Sequence, residues 1–187
     1  MQLSFRIAAL AAVCLLAGVG ATTSPTKAEL EAFEQFAASP DARIAWSNEI
    51  GRIDTDQGRA IVSALVVEDT SGNTGGMRGL RIDLTSGQSR DRVYTSEEHL
   101  DRLIDTMQQI AVSVPSHLSG PGGCHGSGEF LLEMRQDVHA FSASECDLGD
   151  WAGLAVGPGD IRFTNKGARH FVDLFRAARD ELSRQTD

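Results

Sequence analysis

Met77-Arg-Gly-Leu-Arg-Ile-Asp-Leu-Thr-Ser-Gly-Gln-Ser-Arg-Asp-Arg-Val-Tyr-Thr-Ser-Glu-Glu-His-Leu100 changes its hydrophobic period halfway along. Leu80, Ile82 and Leu84 alternate with Arg81 and Asp83, the two-residue period of a half-buried strand. Ser86-Gly87 turns the chain into a second extended run, Asp91-Arg-Val-Tyr94. Thr95 and Glu98 then stand at the spacing of a capping box, in which a hydroxyl and a carboxylate satisfy the first free amides of a helix. From there Leu100, Leu103, Ile104, Met107, Ile110 and Ala111 fall on one helical stripe, predicting a helix to about Val112.

Working outward, Thr26 and Glu29 form another capping box, and Leu30, Phe33, Phe36 and Ala37 predict a short amphipathic helix over 27–38, ended near Ser39-Pro40. Arg43–Asp54 and Arg59–Asp69 read as a hairpin around Asp54-Thr-Asp-Gln-Gly58. Ile61, Leu65 and Val67 give partial alternation, and Ile44, Trp46 and Ile50 a looser one. After a glycine-rich segment, Pro115–Gly128, the pattern resumes. Glu129–Met134, His139–Cys146, Ala152–Val156 and Asp160–Phe163 read as strands. Thr164 caps a last helix to about Arg184, whose stripe is Ala168, Phe171, Val172, Phe175, Ala178 and Leu182. The fold class that follows is α+β, antiparallel sheet with helices packed on one face. The recurrence offers two ββββα units related by duplication, over 43–112 and 129–184. Chance similarity between two strand–turn–helix segments is the alternative.

The first 21 residues read as a signal peptide: Arg6 as the early cation, an uncharged run Ile7–Gly20, and Val19 and Ala21 before a cut at Thr22. The run is shorter than the roughly 20 residues that span a bilayer, and Val13 before Cys14 does not suit a lipoprotein cut. Removing 21 of 187 residues leaves a single globular domain, 22–187, long enough for a real core. Without Arg6 the basic count falls from 17 to 16 against 26 acids, a net charge of −10. That balance argues against nucleic acid and anionic membranes as partners. The expected location is periplasmic or secreted. Cys124 and Cys146 are then the two remaining cysteines, and in an oxidising compartment they are expected to be bonded. The bond would close a loop of about 23 residues, worth roughly 3 kcal/mol in the chain-entropy model. A metal site of Cys124, His125 and Cys146 is the rival; adjacent first ligands and the lack of paired Cys-x-x-Cys spacing argue against it.

Chemistry-bearing motifs are sparse. Of five histidines, His99 and His170 sit outside the helical stripes and read as surface residues, and His139 begins a strand. Only His117 and His125, flanking the glycine segment, could converge. Asp54-Thr-Asp56 and Asp69-Thr-Ser71-Gly-Asn73 resemble calcium loops in their first positions, but Leu65 and Leu80 stand at the twelfth, so both read as turns. No Gly-x-Ser-x-Gly elbow occurs, and the glycines lack the context of a nucleotide loop. Neither metal nor cofactor is expected. Trp151, in Gly149-Asp-Trp-Ala-Gly153, reads as a partly exposed turn residue.

The 115–128 stretch holds five glycines and one strongly apolar residue, Leu118, so it contributes little to a core. Ser119-Gly-Pro-Gly-Gly123 resembles the Ser-Gly-x-x-Gly loop of periplasmic inhibitors of invertebrate-type lysozyme, and that resemblance implies a loop pushed into an enzyme's cleft. The leading expectation is a non-enzymatic binding module for another protein, using Leu118, Ser119, His117, His125 and Trp151. An inhibitor of a lysozyme or other hydrolase is the narrower form of that reading. The rival is a hydrolase or metal-dependent enzyme built on His117 and His125.

Overall fold

The computed structural model describes residues 27–72, 75–112, 119–120, 123–124, 129–135, 138–145, 149–156 and 159–185. In chain order the elements are α1 (Lys27–Ala37), β1 (Ala42–Asp54), β2 (Gly58–Asp69), β3 (Met77–Ser86), β4 (Ser89–Ser96) and α2 (Glu97–Val112). They continue with β5 (Ser119–Gly120), β6 (Gly123–Cys124), β7 (Glu129–Arg135), β8 (Val138–Glu145), β9 (Gly149–Val156), β10 (Gly159–Thr164) and α3 (Asn165–Arg184). Strands β1 to β4 form one antiparallel meander, β7 to β10 a second, and β5–β6 a two-rung ladder. The fold is α+β, as the sequence predicts, and each four-stranded meander is followed by one long helix. Among the described residues no helix is long and apolar enough to cross a membrane. The proposed signal peptide, its cleavage after Ala21, and Thr26 of the Thr26–Glu29 box fall outside the described residues.

Pairing register sorts the first sheet into two faces. Ala60, Val62 and Ala64 of β2 stand opposite Leu84, Ile82 and Leu80 of β3, and Val93 of β4 lies beyond Ile82. All seven are buried in one cluster with the stripes of α2 and α3. Every residue of the two predicted stripes is buried. Leu174 joins them beyond the stripe, because Gly51 of β1 leaves room for it: a Cβ there would lie 2.8 Å from the Leu174 side chain. The second sheet adds Ala140, Leu154, Val156, Ile161 and Phe163 to the same core, and Phe163 stacks on Phe171 at 5.8 Å between ring centroids. One core therefore serves both sheets.

Among the described residues, the opposite face of the first sheet is covered at one end, by α1. Phe33 is fully buried with Leu65 and Val67 and meets Tyr94 edge-on at 5.8 Å. Gly79, opposite Leu65, makes that contact possible, since a Cβ there would sit 2.4 Å from the Phe33 ring and 2.1 Å from the Thr95 carbonyl oxygen. The two expected periodicities in the hairpin are thus resolved differently. Leu65 and Val67 face α1 while Ala60, Val62 and Ala64 of the same strand face the main core, and Ile44 is left 47 % exposed. β1 also carries register shifts between Ile44 and Trp46 and between Glu49 and Gly51.

One cap moves. β4 runs on through Ser96, so α2 begins at Glu97 and the Ser96 hydroxyl lies 2.8 Å from His99 Nδ1. Thr95, the expected cap, points into the core with its hydroxyl lacking a hydrogen-bond partner. His99 is correspondingly not a plain surface residue; its side chain is 15 % exposed.

Candidate functional site

The residues singled out from sequence divide sharply. His117, Leu118, His125 and Cys146 lie outside the described residues, so neither a histidine pair nor the Cys124–Cys146 bond is described. Ser119 and Cys124 are brought together in backbone register, with Gly120 opposite Gly123. Trp151 is not a turn residue. It sits inside β9, paired with Ala143 on one side and Thr164 on the other, because the β8–β9 ladder runs back to Glu145 and Gly149 and leaves 146–148 as the connection.

A different region gathers polar chemistry. The β1–β2 turn is closed by Thr55, whose amide donates to the Gly58 carbonyl at 2.8 Å and whose hydroxyl accepts the Gly58 amide at 3.1 Å. The β3–β4 turn places Gly87 at φ +57, the positive angle that the first central residue of a two-residue hairpin turn requires. Both turns abut β10. The buried Ser86 hydroxyl donates to the Asp160 carbonyl at 2.9 Å, and the Arg162 amide donates to the Gln57 side-chain oxygen at 3.1 Å. Around this junction lie two adjoining hollows that share Gln57 and Gly87. One, about 560 Å³, is lined by residues of the β1–β2 turn with Arg59, Thr85 and Arg90. The other, about 530 Å³, is lined by the β3–β4 turn with Gly159, Asp160 and Arg162.

Above the first hollow, the end of the sheet's outer face not covered by α1 is a grid of ion pairs. Asp54 is shared by Arg52, at 3.1 Å, and Arg59, which hydrogen-bonds it closely. Asp83 is shared by Arg81, at 2.8 Å, and Arg92, at 2.6 Å. The hydrogen bond from Arg59 holds the Asp54 carboxyl below the usual carboxylate range, and the bond to Asp83 pushes the Arg92 guanidinium further up. Each group therefore keeps its charge. Among the described residues no group of three or more His, Cys, Asp or Glu side chains stands close enough to hold a metal ion.

No protein-family model matches this chain, and no curated protein matches it. Sequence reading passed over the outer-face grid. The alternation of Arg81 and Asp83 was visible, but which arginine on a neighbouring strand shares each aspartate depends on ladder register.

Proposed function

We propose that the protein is an exported, non-enzymatic binding module that engages another protein through the 115–128 segment. The observation that supports this reading best is the register of β5 and β6, in which Ser119 faces Cys124 and Gly120 faces Gly123. Such a ladder leaves residues 121–122 as a two-residue connection, the commonest hairpin length. A glycine-rich chain already paired in this way loses less freedom on binding than an unpaired one. A Cys124–Cys146 disulfide, formed after export, would tie the hairpin's second strand to the end of β8. Five residues of this stretch, Ser119 to Gly123, are the ones that resemble the inhibitor loop, so an invertebrate-type lysozyme is the first partner to test.

The experiment compares the purified disulfide-intact protein with a Leu118→Ser, Ser119→Asp variant. Thermal stability should stay within about 1 kcal/mol, as surface changes usually do. The wild type should bind a partner from the native envelope fraction, or inhibit an invertebrate-type lysozyme, and the variant should not. A partner held equally by both proteins places recognition elsewhere and overturns the reading.

A further inference from the structure

We propose that the open end of the first sheet's outer face is a subsite for a compact oxyanion, a phosphate or carboxylate group, centred on Arg90. The inference does not depend on the 115–128 hairpin. It starts from one row of the ladder, in which Asp54 pairs with Arg59, Arg59 with Thr85, and Thr85 with Arg90. Residues directly opposite one another project from the same face with strands about 4.8 Å apart, so Arg59 and Arg90 flank Thr85 at backbone positions about 10 Å from each other. The next row repeats the chemistry, with Asp83 between Ile61 and Arg92.

Charge within these rows is unevenly paired. Arg52 and Arg59 share one carboxylate, and Arg81 and Arg92 share another. Arg90 is exposed and has no carboxylate partner among the described residues. It also lines two hollows at once, the one of about 560 Å³ toward the β1–β2 turn and one of about 340 Å³ toward Asp83, Asp91 and Arg92. Thr85 lines both as well, which puts a hydroxyl beside the unpaired guanidinium. A guanidinium fork with an adjacent hydroxyl matches the in-plane oxygens of phosphate and carboxylate.

The surroundings restrict the ligand's size. Asp56 stands on the rim of the larger hollow, Asp91 on the rim of the smaller, and Glu49 faces Ser63 in the third row. The chain as a whole carries −9. Screening confines each charge to about 8–10 Å at ordinary ionic strength, so a small anion at Arg90 feels the local guanidiniums. A long polyanion would run over the acidic remainder. The chemistry therefore selects a compact group.

Calorimetric titration at low ionic strength with inorganic pyrophosphate and with citrate tests this. Saturable binding of either, weakened about tenfold or more by Arg90→Ala, supports the subsite, and the tighter of the two identifies the anion. Arg90→Lys should bind with intermediate strength, because the charge remains and the fork is lost. It also serves as the test should the alanine variant fold poorly. Asp56→Asn should tighten binding by removing a like charge. Absence of saturable binding by the wild type, equal binding by the Arg90 variants, or weaker binding by Asp56→Asn overturns the proposal. So does a long-chain polyphosphate that binds more tightly per phosphate than pyrophosphate.

Discussion

The two faces of the first sheet are made by the same four strands and behave as different materials. The inner face, Ala60, Val62, Ala64, Leu80, Ile82, Leu84 and Val93, is closed by both long helices. The outer face begins under Phe33 as a small apolar cluster and within a few rungs becomes a field of guanidiniums and carboxylates. A two-residue side-chain period makes this division possible, and strand register completes it: of the four outer-face ion pairs among the described residues, Arg52–Asp54 and Arg81–Asp83 lie within one strand, while Arg59–Asp54 and Arg92–Asp83 join two. Stability is therefore concentrated on one side of the sheet and exposed charge on the other.

The contrast can be tested first where the inner face meets its helix. Phe171 is 1 % exposed and touches both Phe163 and Phe175. Phe171→Ala should cost about 3–5 kcal/mol, read as a fall in the urea midpoint with the slope unchanged. A loss under about 1 kcal/mol would mean that the two sheets do not depend on a shared core.

A smaller effect is expected where α1 meets the outer face. Gly79→Ala forces a methyl against the Thr95 carbonyl and the Phe33 ring, and should cost about 1–3 kcal/mol by overpacking. An unchanged melting temperature would show that α1 is not seated against β3.

The smallest effect belongs to the charged end. The folded-state pKa of Asp54 is depressed, so whatever stability its pairing with Arg59 adds is present above the ordinary carboxylate range near 4 and lost as pH falls through the lowered value. Titration of the Asp54 carboxyl followed by NMR should give a midpoint below 3.8 that returns toward it in Arg59→Ala. A midpoint unmoved by that substitution would remove Arg59 as the cause. Because the pair is exposed, the melting temperature of the variant should barely change.

Much of the fold was legible in the sequence because helices and strands announce themselves by period. Both helical stripes and the Arg81/Asp83 alternation could be read residue by residue, and the strand runs by their order, though not by their bounds. What escaped reading was set by neighbours distant in sequence. Leu174 is buried because Gly51 makes space, Thr95 is swallowed because β4 continues one residue further, and Trp151 is a strand residue because β8 supplies a long partner. The candidate surface was less legible still. Arg59, Thr85 and Arg90 are scattered over 32 positions and become one row only through two ladders.

The doubled irregularity of β1 has a consequence for how this molecule behaves in a crowd of its own copies. β1 is an edge strand of its sheet, 13 residues long, and a straight edge of that length would invite another chain to add on. The two register shifts break its ladder into runs of three, four and four residues, 42–44, 46–49 and 51–54. A newcomer in regular register would lose its pairing at the end of each short run, and Arg43, Glu49 and Arg52 would meet it with charge. Ile44, the single large hydrophobic side chain left exposed among the described residues, lies at the first of these shifts. The longest edge strand among the described residues is broken in register against fibrous self-association.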